Sequence, residues 1–344
     1  MKRWGIGYLA MLIYGLLIYG LLIWVTPSIS FAEDRVNFSI EAVPNVYQVD
    51  SGVSYFDLRM TAKQKTNIQV RIFNHGPDDH TFLTSIRNAT TNDNGLIVYD
   101  QKKPVPLAPT SLTDLIQPNA TSTFIKGGES KVVSLPLEIV NDLDGTLLAG
   151  VRVEKKPEKE TAEKNTIGIQ NRHSYIIGLK VRSSIKDLAP EITYEGVEAK
   201  SSFSRPTVFV KLANQRPTIS QPMKFEAIVT QGKKVIVRKE MEVRFAPSIY
   251  MRTPIETTGI LEPGTYHINI RVEGEEKTWK WKDSFKITKR QADQMKEQMP
   301  EREIEENSNS FVGEWSKELM IASTLIIFLL IGYIYRLKKQ QRQT

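Results

Sequence analysis

The chain of 344 residues contains no cysteine. That excludes structural disulfides, thiolate metal sites, thiol catalysis and a lipidated cysteine, so its domains must stand on their apolar cores. Histidine is scarce too. The four, His75, His80, His173 and His267, fall in no H-E-x-x-H or comparable pattern, and the chain has neither a Gly-rich phosphate cradle nor a nucleophile elbow. The expectation is a protein that is not an enzyme and needs no cofactor.

The formal net charge of +7 sits mostly at the two ends, because Lys2, Arg3, Arg336, Lys338, Lys339 and Arg342 flank the apolar segments and leave +1 between them. Such a distribution marks membrane topology rather than a surface that tracks phosphates, so nucleic acid is rejected as a partner. Trp4 to Val25 is an uncharged run of 22 residues behind Met-Lys-Arg, broken by Thr26-Pro27. With small residues at Ser30 and Ala32, residues 1–32 are expected to be a signal peptide cleaved after Ala32. Leu319 to Tyr335 holds 17 uncharged residues, and at ~1.5 Å per residue it spans ~25 Å, close to a hydrocarbon core. The expectation is a single transmembrane helix over 319–335 with the basic tail 336–344 in the cytoplasm. Residues 33 to 318 then face outward at the cell membrane, toward the wall, whether or not the signal is cut. The residues before the second apolar run, Asn307 to Phe311, contain no LPxTG-type sorting signal, which favours a permanent membrane anchor.

Between these segments the pattern is that of strands. Ile68, Val70 and Ile72 alternate with polar residues, as do Tyr266, Ile268, Ile270 and Val272, and further runs cover 132–139, 176–181, 208–212, 225–229 and 241–245. Turn signals such as Gln231-Gly232-Lys233 and Glu262-Pro263-Gly264 separate them. An all-β fold of two tandem β-sandwiches is expected, over 33–186 and 187–288, with 289–318 as a polar stalk. Two short helices are foreseen: a turn capped at Ser111 by Asp114, and one from Lys289 to Met299 stopped by Pro300. The run Lys155 to Lys164 has no apolar face and reads as a solvated loop.

Candidate chemistry is confined to a few loops. His75 and His80 flank Gly-Pro-Asp-Asp, and Asn92-Asp93-Asn94-Gly95 and Asp142-Leu143-Asp144-Gly145 gather carboxylates beside glycine as calcium loops do. Neither acidic loop continues to the Glu that completes an EF-hand, so tight turns are the expected reading and no metal site is assigned. Tyr55, Phe56, Asp57, Asn92, Asp93 and Asn94 combine apolar faces with hydrogen-bonding groups, the mixture that glycan or partner binding needs. Strand alternation lets only one of Tyr55 and Phe56 face the core. Trp279 and Trp281 share a strand face, where packing is the expected role.

Over nearly all of the chain outside the two apolar segments, these residues resemble the WxL-interacting proteins of Gram-positive bacteria. In the first half the resemblance rests on Val53 to Met60, Ala89 to Gly95, Asp144-Gly145, Ala149-Gly150-Val151 and Tyr175 to Gly178. In the second half it rests on Phe245-Ala246-Pro247, Pro263 to Tyr266, Trp279-Lys280-Trp281 and Phe285 to Thr288, departing at Tyr250-Met251-Arg252. It implies two Ig-like domains, peptidoglycan-binding then host-binding, on a C-terminal anchor. The partners implied are peptidoglycan, WxL-domain surface proteins and host extracellular matrix or serum proteins. No Trp-x-Leu triplet occurs, so the chain looks like the partner of a WxL protein. A membrane-anchored assembly scaffold or chaperone without wall affinity is the alternative, and a glycan hydrolase a third reading.

Overall fold

A computed structural model describes residues 36–157, 173–183, 188–257, 259 and 261–298. The two apolar segments, and the charged run beyond Pro157, lie outside these residues. Among the described residues no helix is long and apolar enough to cross a membrane.

The fold is all-β. Alternating Ile68, Val70 and Ile72 have essentially no exposure and form the inner face of β3 (Lys65–Asn74), which lies between β1 (Phe38–Ala42) and β7 (Ser130–Glu138) in an antiparallel sheet. The facing sheet has the order β2 (Phe56–Arg59), β9 (Ser174–Arg182), β8 (Thr146–Lys155), β4 (His80–Thr91), β5 (Ile97–Gln101), with β6 (Ala120–Ile125) also paired to β4. One apolar cluster from Phe38 to Val181 fills the space between them. β2 runs parallel to β9 while its neighbours are antiparallel. α1 (Leu112–Leu115) begins where Ser111 N–H donates to Asp114 Oδ2 at 3.0 Å, the cap expected from the spacing.

A second cluster, from Ile192 to Met295, defines the second domain. Its sheets are β10 (Ile192–Ser202), β11 (Arg205–Asn214) and β14 (Ile249–Glu256) on one side, and β12 (Met223–Gln231), β13 (Lys234–Val243), β15 (Gly264–Glu273) and β16 (Thr278–Ile287) on the other, in the order β13-β12-β15-β16. The β10–β11 hairpin turns through Phe203 and Ser204, both at positive φ (47° and 63°), which matches the twist of the strands it joins. Phe225, Tyr266, Ile268 and Ile270 point inward from alternate positions, and Trp279 joins them at 8% exposure.

α2 (Lys289–Glu297) occupies the first part of the stretch expected as a stalk. Thr288 caps it, accepting from Gln291 N–H while Gln291 Oε1 accepts from Thr288 N–H, and Ala292 and Met295 are buried in the second core. The helix is short for an isolated one in water, so tertiary packing of those two residues maintains it. A Met295→Asp substitution is expected to release it: hydrogen exchange should accelerate over Lys289–Glu297, while β15 and β16 stay protected.

Candidate binding face and domain junction

The residues singled out from the sequence separate into two places. At the edge of the larger first-domain sheet, alternation splits the first three: Tyr55 is 43% exposed, Phe56 is 1% exposed inside the core, and Asp57 turns to the opposite face. There Arg182 of the neighbouring β9 donates Nε to Asp57 Oδ1 at 3.0 Å and Nη2 to Oδ2 at 2.7 Å. Both side chains are about one-tenth exposed, so this two-pronged ion pair secures the parallel β2–β9 edge in a largely dry setting.

The second place is the junction of the domains. Asn92 Oδ1 accepts from Asn94 and Leu96 N–H at 3.0 Å, shaping the turn between β4 and β5. Asp93 reaches Arg252 Nη2 at 3.4 Å, and that guanidinium lies 4.5 Å over the Phe209 ring of the second domain. Arg252 belongs to the stretch where the sequence departs from the expected pattern. Arg244 N–H donates to Gly95 O at 2.7 Å, and Thr91 Oγ1 accepts from Ala246 N–H at 2.9 Å. Gly95, at φ +75°, has Val243 Cγ1 2.7 Å from where a Cβ would stand. Gly145, at φ +92°, has Pro217 O 2.4 Å from the same position, and Thr146 N–H donates to Pro217 O at 2.7 Å. The carboxylate-and-glycine loops thus serve as backbone docking points, for which glycine's positive φ and missing side chain are both needed. Ala89, Ala246 and Ile249, with Ile97, Tyr99, Val105 and Leu148, make a small apolar cluster across this junction. Beside it opens a cleft of about 1190 Å³ whose wall includes Asp144, Arg216 and Trp279, and where Lys277 Nζ meets Glu191 at 3.0 Å. The hydrogen bond from Lys277 holds the Glu191 carboxyl below its usual range.

The outer face of the larger first-domain sheet carries what the sequence reading missed. Gly150 on β8 stands opposite Gly178 on β9. A Cβ on Gly150 would lie 2.5 Å from Ile176 Cγ2 and 2.9 Å from Tyr99 Cβ, and one on Gly178 would contact Tyr55 Cβ and Tyr99 Oη at 3.6 and 3.7 Å. Two tyrosines and Ile176, itself 40% exposed, therefore gather over a glycine floor. Burial pushes the Tyr99 phenol up, against the opposing pull of Arg244 at the junction. Next to the floor, Arg87 is 9% exposed and forms no hydrogen bond or ion pair among the described residues. Burial, and then the adjacent Arg152, hold its guanidinium below the ordinary value. Nothing in β4 flags Arg87 in the sequence, because strand register decides what stands beside it.

The histidine loop has structural work. His75 shares a hydrogen bond with Ser39 Oγ at 2.8 Å and stacks on Phe73, while Asp79 Oδ1 accepts from Gly127 N–H at 3.0 Å. Among the described residues no group of three or more His, Asp or Glu could hold a metal ion.

Comparison with known proteins agrees with this two-part architecture. The family models for the WxL Interacting Protein peptidoglycan binding domain and host binding domain match residues 38–155 and 164–297 respectively. The chain belongs to the WxL-interacting protein family. The second match starts before β9, although β9 completes the first domain's sheet between β2 and β8. No curated protein matches in sequence. Among solved structures, the class 5 fimbriae chaperone CfaA is 13% identical, with 72% of this chain and 98% of that chain covered at a TM-score of 0.27. The CsuC–CsuE chaperone–tip subunit complex of Acinetobacter baumannii is 12% identical, covering 71% and 97% at a TM-score of 0.31. The E. coli chaperone DraB is 15% identical, covering 73% and 97% at 0.26. Superpositions this loose carry no functional weight.

Two outcomes follow from the geometry. Asp57→Ala removes the two-pronged carboxylate contact of Arg182 and is expected to lower the midpoint of urea unfolding, whereas Asp57→Ala with Arg182→Met should recover part of that loss. Gly95→Ala is expected to loosen the junction while leaving both cores intact, seen as a larger radius of gyration in X-ray scattering and two separated unfolding transitions.

Proposed function

We propose that the protein is a non-enzymatic cell-surface adaptor: two Ig-like sandwiches held at the membrane by the 319–335 segment, the first binding wall peptidoglycan and the second engaging WxL proteins or host extracellular ligands. The observation that carries the reading is the glycine-floored face of the first domain's larger sheet, where Tyr55, Tyr99 and Gly150 lie in the stretch matched by the peptidoglycan-binding model and Ile176 and Gly178 are added by β9. Aromatic faces beside cations suit a sugar polymer, offering stacking surface and hydrogen-bond donors together. Of the residues first proposed for ligand contact, Tyr55 lies on this face. Asn92, Asp93 and Asn94 lie at the junction, where they set how the two domains are presented. β13 ends its sheet, and a partner could add a strand along that edge.

The full-length protein in detergent, mixed with insoluble peptidoglycan and centrifuged, should sediment with it. Recovery entirely in the supernatant, with WxL proteins mislocalised in a deletion strain, would instead establish the assembly-scaffold alternative.

A further inference from the structure

Three unpartnered polar atoms lie side by side on the outer face of the larger sheet. Ser85 Oγ, Arg87 Nε and Arg152 Nε are all buried and lack a hydrogen-bond partner. Register brings them together: Ser85 stands opposite Arg152, Arg87 opposite Gly150, and Arg152 in turn opposite Ile176. Alternation puts them on the same side, since Phe82 and Ile86 of β4 and Ala149, Val151 and Val153 of β8 face the core. The acid beside this group among the described residues is Glu154, whose Oε2 accepts from Arg152 Nη2 at 2.8 Å. Two guanidiniums thus share one carboxylate, and Arg87, nine-tenths buried, has none of its own.

A guanidinium whose Nε is shut off from water beside a like charge is a costly arrangement unless an anion completes it. The missing charge is a single negative one. The neighbours of the site define the rest of the ligand: Tyr99 and Ile176 crowd over Gly150, Tyr55 borders Gly178, and Arg152 leaves the site open to solvent at 30% side-chain exposure. We propose that Ser85, Arg87 and Arg152 form a carboxylate pocket, with Tyr55, Tyr99 and Ile176 as its apolar wall, that takes an acid-bearing N-acetylated sugar unit of the wall polymer. This rests on the wall-binding reading and names the group recognised within it. The carboxylate enters between Arg87 and Arg152, whose Nε atoms lack a partner while Arg152 Nη2 stays on Glu154, and the sugar ring and acetyl methyl lie on the tyrosines. A polyol phosphate chain would satisfy the cations but leave the aromatic wall without a partner.

Two sources carry such a carboxylate, the lactyl ether of muramic acid and the stem peptide, and soluble probes separate them. Titration calorimetry on the full-length protein in detergent should show binding of N-acetylglucosaminyl-N-acetylmuramic acid, at least tenfold weaker binding of its lactyl methyl ester, and no binding of a glycerol phosphate oligomer. A stem peptide bound in place of the disaccharide would move the carboxylate to that source and overturn the sugar part. Arg87→Met should weaken the acidic disaccharide at least tenfold while raising the melting temperature of the free protein, since it removes an uncompensated charge. Arg152→Gln, at a partly exposed position, and Tyr55→Ala should each weaken binding severalfold. Sedimentation of wild type and Arg87→Met with peptidoglycan to the same extent overturns the pocket and leaves wall binding standing. Failure of the wild type itself to sediment overturns the wall reading beneath it.

Discussion

The arrangement depends above all on main-chain contact across the domain junction. Arg244 N–H to Gly95 O and Thr146 N–H to Pro217 O, each at 2.7 Å, join two turns of the first domain to two segments of the second. Side-chain contacts alone would allow the domains to slide, whereas backbone groups without partners in a buried seam are costly, so these bonds fix a single approach. Everything around them conforms. Glycine stands where a Cβ would collide, Thr91 is buried to accept from Ala246, and Arg252 lies flat on Phe209 to reach Asp93. In a chain without cysteine, this seam and the two apolar clusters provide the structural cohesion.

How much of this the sequence revealed depends on whether a feature is local or lateral. Local patterns read cleanly. The alternation of Ile68, Val70 and Ile72 is the inner face of β3, Gln231-Gly232-Lys233 is the turn into β13, and Ser111 begins its helix with Asp114. Lateral features did not. Arg87 and Arg152 are 65 positions apart and meet only because β4 pairs with β8 in one register. Asn92, Asp93 and Gly95 have a composition that suits a calcium loop or a glycan contact equally. Only the position of Val243 against Gly95 shows what the turn is packed against. The expected stalk began too early for a comparable reason: a short polar helix gives no sign that Ala292 and Met295 have a core to enter.

Family membership and physical geometry inform different levels. The family models identify a peptidoglycan-binding and a host-binding domain in that order, and the sheets explain how one chain keeps both in fixed relation. β9 illustrates the distinction, because its sequence falls within the second match while its hydrogen bonds lie in the first domain. The strand therefore ties the two halves covalently as well as structurally. Tyr175 at its start packs edge-on against Phe38, and Arg182 at its end holds Asp57, so β9 is anchored at both ends before the chain passes to the second domain.

α2 has a mechanical consequence. Tension applied to the second domain from its C-terminal side enters through this helix before it reaches β16. The helix is held by two buried side chains and a cap, while β16 is held by ten register pairs with β15. Under load the helix would peel first and lengthen the chain by a few nanometres at most, each freed residue extending from ~1.5 to ~3.5 Å. The sheets would feel the full force only after that slack is spent, so the short helix serves as a small shock absorber in series with the binding domains.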